Sequence, residues 1–230
     1  MNTPPRTHNM DFEKARFLMV EQQIRTWEVL DQTVLDLLFA VKREDFVPPA
    51  YRSLAFVDME IPLAHGQTMM APKMEARIVQ EVAPKPGERV LEIGTGSGYL
   101  TALLAKQAES VTSIDIFEDF VTATAEKLAR AGMTNVHLKT GDAAESALGV
   151  LASHETFDVI VLTGSVPMVP KAYLDLLNLH GRLFAIVGDA PAMKATLFTK
   201  TGDTAFTADD LFETVLPPLI NAKQPSRFEF

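Results

Sequence analysis

The sequence predicts an α/β fold, with a mostly parallel sheet, an N-terminal helical segment and a C-terminal antiparallel strand pair. Strand and helix patterns alternate from residue 89 onward, which is typical of parallel strands joined by helical crossovers. The run Phe157–Leu162 is almost entirely apolar, as expected of a strand buried on both faces of a sheet. A glycine-rich turn follows the first of these strands and opens a helix. In open α/β sheets, this is where ligands bind.

Two helices are predicted before the sheet. Residues 1–9 lack apolar periodicity and are interpreted as a frayed tail. A helical pattern runs from Asp11 to about Leu30, and a second helix carries Val34–Val41 behind Asp31, which is placed to cap it. Residues 57–72 show no clean period. We expect them to form a long ordered loop, and loops of that length are often functional.

The strands and helices of the second half follow from short apolar runs. The glycine turn is followed by a helix carrying Leu100, Leu103 and Leu104. Later helices span Phe117 to about Gly132 and Pro170–Leu177, and Gly181 ends the last one. A terminal antiparallel pair with a long connection is predicted at residues 195–200 and 211–216. The predicted parallel strands are Arg89–Ile93, Val111–Ile114, Val136–Leu138, Phe157–Leu162 and Arg182–Val187.

Composition narrows the possible functions. The 230 residues suit one domain, or one domain with an appendage, at roughly 100–200 residues per domain. The chain has 21 Lys and Arg against 30 Asp and Glu, a net charge of −9, and an acidic surface repels phosphate backbones, so we expect no nucleic-acid partner. It has no cysteine, and its five histidines show no metal-ligand spacing, so we expect no metal. Without a long apolar run or a signal peptide, a cytoplasmic protein with no membrane partner is expected.

The strongest motif is the glycine turn Glu92-Ile93-Gly94-Thr95-Gly96-Ser97-Gly98. Its glycines let the backbone turn tightly and let a ligand lie against bare main chain. Asp115 stands at the end of the second strand, where its carboxylate can accept hydrogen bonds from ribose hydroxyls. Asp142 follows the third strand, near where an adenine ring would lie. An alternative interpretation is a structural turn with solvated acids.

The spacing of the glycines discriminates between two nucleotide-like ligands. A dinucleotide fingerprint, G-x-G-x-x-G, requires glycine at position 99, where this chain has Tyr99. The third glycine comes one residue earlier, and the resulting G-x-G-x-G suits S-adenosylmethionine, which has no pyrophosphate to seat on the helix. The sequence therefore favours S-adenosylmethionine as the cofactor, with S-adenosylhomocysteine as the product.

Several segments resemble the protein-L-isoaspartate O-methyltransferase family. Val90–Tyr99 is similar to that family's first cofactor motif, Phe46-Val47-Pro48 to a stretch upstream, and Gly66-Gln67-Thr68 to its signature loop. The resemblance implies a seven-stranded, Rossmann-like methyltransferase sheet, with residues 1–75 forming the tail, helices and substrate/cofactor loop and residues 76–230 the core. It also implies carboxyl methylation of isoaspartyl residues in a damaged protein or peptide. It assigns no catalytic residue. The implied cofactor-binding residues are Gln67, Thr68, Glu92, Gly94, Thr95, Gly96, Ser97, Gly98, Asp115, Ile116, Asp142 and Ala143.

One position departs from the family pattern at the substrate end. The family's signature serine, which orients the substrate carboxylate, is Met70 here, and a thioether cannot donate a hydrogen bond. Thr68 is a candidate to replace that hydroxyl in part, and His65 to touch the substrate, although a lone loop histidine is more often solvated. Two alternatives therefore stay open: the same fold acting on a different substrate, or a non-catalytic homologue that binds the cofactor.

Overall fold

The N-terminal segment consists of two capped helices. The computed structural model describes residues 10–144 and 147–223, so the tail predicted at residues 1–9 lies outside the described part. Helix α1 (Phe12–Met19) is capped by the Asp11 side chain and continues as a π-helical turn and a 3-10 turn to Trp27. Helix α2 (Gln32–Ala40) begins at Asp31, whose carboxylate accepts a bond from the Thr33 N–H. Both predicted helices are confirmed.

The segment predicted as a long loop contains a small hairpin. Strands β1 (Ile61–Pro62) and β2 (Thr68–Met69) pair antiparallel across a 3-10 turn at Ala64–Gly66. Helix α3 (Pro72–Val82) follows directly, and the sequence analysis did not assign it. The signals for α3 were present, since a proline opens it and an apolar face recurs at helical spacing. Charged residues between these positions obscured the pattern.

The main sheet has seven strands, in the order β5-β4-β3-β6-β7-β8-β9. The first five pair in parallel, and β8 and β9 are antiparallel to their neighbours. This confirms the predicted sheet and its C-terminal antiparallel pair. The strands are β3 (Arg89–Ile93), β4 (Ser110–Asp115), β5 (Val136–Thr140), β6 (Phe157–Val166), β7 (Leu177–Asp189), β8 (Ala192–Lys200) and β9 (Phe206–Thr214), and the helices between them are α4 (Tyr99–Ala105), α5 (Glu118–Arg130) and α6 (Lys171–Asp175).

Two predicted boundaries near the C-terminal side of the sheet are wrong. Helix α6 ends at Asp175, two residues earlier than predicted. Leu177 is the first residue of β7, where it is buried and pairs with Phe157. Gly181 therefore lies inside β7 and does not end a helix. It occupies an irregularity of that strand, where a Cβ would lie 2.8 Å from the Asn178 carbonyl oxygen. A glycine within a strand commonly marks such a bulge, so the same residue type was compatible with both interpretations.

The connection between the last two strands is also shorter than predicted. Strand β9 begins at Phe206, so residues 201–205 alone join it to β8. The first half of β9 is exposed from Thr207 to Asp210, and three of these four residues are polar. An edge strand with a solvated face has no continuous apolar run, which explains why the sequence pattern placed the start of β9 too late.

The core lies on both faces of the sheet. Successive residues of β3 alternate, with Val90 in a cluster that also holds the N-terminal helices and Leu91 in a cluster on the opposite face. The N-terminal segment thus shares its core with the sheet, and α3 runs across position 75, where the division into two segments stays a proposal. Among the helices in the described residues, none has the length and apolar character to cross a membrane.

Candidate functional site

A cleft of about 770 Å³ opens at the carboxyl edge of the parallel strands. Eight of the predicted cofactor-binding residues line it: Gln67, Thr68, Gly94, Gly96, Asp115, Ile116, Asp142 and Ala143. The fold therefore brings together residues that are up to 76 positions apart in the chain, because the ends of β3, β4 and β5 meet at one edge.

The glycine turn forms one wall of this cleft. Gly94, Gly96 and Gly98 all adopt positive φ angles, of 99°, 51° and 82°. A Cβ at Gly94 would overlap the Thr163 hydroxyl, and one at Gly98 would lie 2.5 Å from the Thr124 methyl group. A Cβ at Gly96 would meet nothing closer than Leu63 at 3.7 Å, so the backbone there is open to the cleft. Two glycines thus keep the turn compact, and Gly96 admits a ligand.

The Asp115 carboxylate lies between the glycine turn and the start of α5. Its Oδ2 accepts a bond from the Gly96 N–H at 2.8 Å, and its Oδ1 accepts one from the Phe117 N–H at 3.0 Å. Burial raises the pKa of Asp115, and these backbone bonds offset part of the rise. Each oxygen keeps a second lone pair, so the carboxylate can accept two further bonds from a ligand with adjacent hydroxyls.

Asp142, which follows β5, also lines the cleft. Its Oδ1 accepts a bond from the Ala144 N–H at 3.1 Å, and its Oδ2 accepts one from the Asn221 amide at 2.7 Å. Ile116, Phe117 and Ala143 supply apolar surface beside it. An apolar slot bounded by a carboxylate matches a flat heterocycle that carries an amino group.

Four predicted residues of the glycine-turn motif do not line the main cleft: Glu92, Thr95, Ser97 and Gly98. Glu92, Thr95 and Ser97 line a second cavity of about 330 Å³, which shares Thr68, Met70, Gly94, Gly96 and Thr163 with the main cleft. The Thr95 hydroxyl lies 2.6 Å from that of Ser113. This bond attaches the turn to β4.

Glu92 is fully buried and only half satisfied. Its Oε2 accepts bonds from the hydroxyls of Thr101 at 2.5 Å and Ser113 at 2.6 Å, whereas its Oε1 has no hydrogen-bond partner within the described residues. Burial raises the pKa of Glu92 to about 7, aided by the charge of Asp115 and opposed by the two hydroxyl bonds. An unpaired carboxylate oxygen beside the second cavity is suited to a ligand ammonium group.

The Gln67–Met70 segment forms the wall that faces the glycine turn. The Gln67 amide donates to the His65 carbonyl oxygen at 3.2 Å, and the Thr68 hydroxyl donates to Glu60 Oε2 at 3.0 Å. Met70 is buried, lines both cavities and places no hydrogen-bond donor there. Because a hydroxyl has one hydrogen, Thr68 presents lone pairs to the cleft while it bonds to Glu60.

His65 is not a simple solvated loop residue. Its ring stacks on Phe117 with centroids 3.9 Å apart, and its Nε2 lies 2.9 Å from Asp119 Oδ2. It does not line the main cleft. These contacts attach the tip of the β1–β2 hairpin to the start of α5, while the His65 side chain stays 40% exposed.

The sequence analysis missed several cleft residues. Thr163 and Gly164 lie at the carboxyl end of β6, where strand topology alone could have placed them. The segment Leu216–Ile220 gave no such signal, because it reaches the cleft through long-range contacts. Ser165 holds it, since its backbone N–H donates to the Pro217 carbonyl and its hydroxyl donates to the Leu216 carbonyl, at 2.9 and 2.8 Å.

These features fit S-adenosylmethionine part by part. The apolar slot and Asp142 suit adenine, the Asp115 carboxylate suits the ribose hydroxyls, and the orphaned oxygen of Glu92 suits the ammonium of the methionine moiety. Within the described residues, no group of three or more potential metal ligands is present. The fold and the site together define an S-adenosylmethionine-dependent methyltransferase.

Comparison with known proteins identifies the family. The model of the protein-L-isoaspartate(D-aspartate) O-methyltransferase family (PCMT) matches residues 14–224, so the chain belongs to that family. Protein-L-isoaspartate O-methyltransferase of Syntrophotalea carbinolica is 34% identical over 213 residues, covering 92% of this chain and 95% of the relative. The corresponding protein of Roseiflexus castenholzii is 35% identical over 211 residues, covering 92% and 94%.

Solved structures give the same fold. A Plasmodium falciparum protein assigned as a protein-L-isoaspartate O-methyltransferase, in complex with S-adenosyl-L-homocysteine, superposes with a TM-score of 0.75 at 21% identity, covering 89% of this chain and 97% of that one. A second protein-L-isoaspartate O-methyltransferase gives a TM-score of 0.73 at 22% identity, covering 90% of this chain and 65% of that one.

Proposed function

We propose that this enzyme transfers the methyl group of S-adenosylmethionine to the free carboxylate of isoaspartyl residues in damaged proteins or peptides. The observation that carries the proposal is the position of Gln67–Met70, opposite the glycine turn in one cleft. The segment that resembles the family's signature thus borders the space next to the cofactor. The names of the relatives support the same acceptor.

Methyl transfer to a carboxylate makes modest demands on the protein. The bound cofactor supplies an electrophilic methyl group on a positively charged sulfur. A carboxylate acceptor is already ionised at neutral pH, so it needs no general base. The residues of the chain therefore have to align the acceptor in line with the methyl group and exclude water. The described residues that line the cleft include no nucleophile-and-base pair, and this reaction requires none.

Gln67 is the best placed donor for the acceptor carboxylate. Its amide nitrogen has two hydrogens, and one bonds to the His65 carbonyl. The second is available to a ligand in the cleft. Thr68 was the earlier candidate for this role, but its hydrogen is used on Glu60. We therefore assign Gln67 to orient the acceptor, and Thr68 to hold the hairpin through Glu60.

At the cofactor end, we propose distinct roles for three carboxylates. Asp115 binds the ribose hydroxyls, Asp142 binds the adenine amino group after exchange with Asn221, and Glu92 pairs with the methionine ammonium. Binding of that ammonium requires the ionised form of Glu92. Because burial raises the pKa of Glu92 to about 7, the affinity for S-adenosylhomocysteine should increase as the pH rises from 6 to 8. 5′-Methylthioadenosine, which lacks the ammonium group, should show no such increase.

A second candidate function is methylation of a different acceptor on the same scaffold. Met70 favours this second function, because it places apolar surface, instead of a hydrogen-bond donor, in the Gln67–Met70 segment. We call this segment the acceptor wall. Leu63, Leu219 and Ile220 add apolar surface to the cleft. An acceptor that is less polar than an isoaspartyl peptide would suit this lining.

The decisive experiment compares two peptides that differ in one linkage. The purified protein is incubated with methyl-labelled S-adenosylmethionine and either an isoaspartyl peptide or the same peptide with a normal aspartyl residue. We expect a base-labile methyl ester on the isoaspartyl peptide alone. If the protein binds S-adenosylhomocysteine but no ester forms at high enzyme concentration, the isoaspartyl proposal is wrong and the second candidate is favoured.

A further inference from the structure

Arg43 is a buried cation that contacts the acceptor wall of the cleft from behind. Its side chain is 1% exposed and lies in a 3-10 turn after α2. The guanidinium Nε donates to the Ala55 carbonyl oxygen at 2.9 Å, and Nη2 donates to the Met70 carbonyl oxygen at 2.7 Å. One side chain thereby ties the end of the Gln67–Met70 segment to the N-terminal region.

The same guanidinium also contacts two helices, α3 and α4. It forms an ion pair with Glu75 on α3, the helix that follows the acceptor segment. It also lies over the ring of Tyr99, 5.1 Å from the centroid. Tyr99 is the first residue of α4 and directly follows Gly98 of the glycine turn. Arg43 therefore contacts both the acceptor wall and α4, the helix that begins directly after the glycine turn.

We propose that Arg43 is a positioning residue for methyl transfer, which sets the distance between the Gln67–Met70 segment and the glycine turn. This inference rests on the proposed function of that segment as the acceptor wall. Small displacements of an acceptor relative to the methyl group are expected to slow an in-line transfer strongly. A planar guanidinium can hold two carbonyls, a carboxylate and a ring at once, whereas a lysine ammonium is a single point donor.

The principal test is Arg43→Lys, which keeps the charge and loses the fork of donors. We expect kcat for the isoaspartyl peptide to fall about 100-fold, the size of effect that misplacement of reacting groups produces. The affinity for S-adenosylhomocysteine should stay within about twofold, because Arg43 does not line the main cleft. A merely structural role would lower stability without separating kcat from cofactor binding.

Arg16→Lys is the matched control. Arg16 is equally buried, and in the described part of the chain its hydrogen bonds go to Glu13 and Glu44, away from the acceptor segment. We expect Arg16→Lys to lower the melting temperature and to leave kcat within about twofold of the wild-type value. The pair of variants therefore separates loss of a buried arginine from loss of positioning.

A double variant avoids the unfolding that an unpaired buried charge can cause. Arg43→Met with Glu75→Gln removes both charges of the pair, so that no unpaired carboxylate is left buried. In this variant we expect faster amide hydrogen exchange in peptides covering residues 67–70, with exchange in β4 and β5 unchanged. Hydrogen exchange needs no substrate, so it tests the positioning claim even if the isoaspartyl assay fails for the wild type.

Two results would overturn the inference. The first is a kcat for Arg43→Lys equal to that of the wild type. The second is unchanged exchange at residues 67–70 in the double variant. A wild-type protein that forms no methyl ester would refute the proposed function instead, and the exchange measurement would still decide whether Arg43 holds the acceptor segment.

Discussion

The two walls of the cleft are held in place in different ways. The cofactor wall consists of strand ends that lie side by side, and Asp115 fixes it through bonds from two backbone N–H groups. The acceptor wall is a short hairpin that side chains attach to the rest of the chain, Arg43 at Met70 and His65 at Asp119. Backbone geometry leaves little freedom at the cofactor wall. The acceptor wall depends on individual side chains, so a single substitution there can change its chemistry.

Gly94→Ala is the substitution that we expect to disturb the cofactor wall most. The new Cβ would overlap the Thr163 hydroxyl at a φ of +99°. Backbone strain and overpacking together should weaken S-adenosylhomocysteine binding by about 3 kcal/mol, roughly 100-fold. Gly87→Ala is the control, since Gly87 has a φ of +93° but nothing within 4 Å of a Cβ. Calorimetry should show weaker binding for Gly94→Ala alone, and equal affinities for both variants would contradict the overlap argument.

Glu92→Gln tests the buried carboxyl behind the same wall. Burial raises its pKa from 4.5 to about 7, so between these values the folded chain holds a proton that the unfolded chain releases. The free energy of unfolding therefore falls as the pH rises through this window. At about 1.4 kcal/mol per pKa unit, Gln should stabilise the protein by about 3 kcal/mol at pH 8. Urea unfolding should show no gain at pH 4.

A contrasting variant sharpens this prediction. The Arg182 guanidinium pairs with Glu88 and holds the pKa of that carboxyl below its ordinary value, despite partial burial. Glu88→Gln should therefore lose stability at pH 8, the opposite sign to Glu92→Gln. A gain at pH 8 from both variants would indicate that the pKa of Glu92 is not the cause.

Asp115→Ala removes the carboxylate that we assign to the ribose. Loss of a partner for buried hydroxyls should weaken S-adenosylhomocysteine binding by about 1–3 kcal/mol. Glu118→Ala, an exposed carboxylate three residues further on, serves as the control. Calorimetry on the two variants decides the assignment, and an unchanged affinity for Asp115→Ala would remove it.

Met70→Ser, a substitution in the acceptor wall, should have the smallest effect. A hydroxyl at this position can donate to the acceptor carboxylate, so we expect turnover of the isoaspartyl peptide to rise about tenfold, with cofactor affinity unchanged. Met70→Ala creates the same space without a donor. Steady-state kinetics should show the gain for serine only, and a similar gain for alanine would indicate that the methionine merely obstructs the acceptor.

Local patterns were sufficient for most of the sheet and for the cofactor wall. Strand and helix periods placed β3 to β6, and the glycine turn, Asp115 and Asp142 follow from strand ends. The hairpin at residues 61–69 and helix α3 were missed, and the start of β7 was misplaced. Two-residue strands give no periodic signal, and a bulged strand start resembles a helix end when the pairing partner is unknown.

The sequence by itself placed Gly94, Asp115 and Asp142 together, because a parallel sheet brings consecutive strand ends to one edge. Only the tertiary structure decided three further features: the unpaired oxygen of Glu92, the contact of Leu216–Ile220 with Ser165, and the hydrogen bond from Arg43 to the Met70 carbonyl. Each joins residues that are distant along the chain or depends on which way a side chain points. Such contacts form only when separate elements pack together, so no local pattern encodes them.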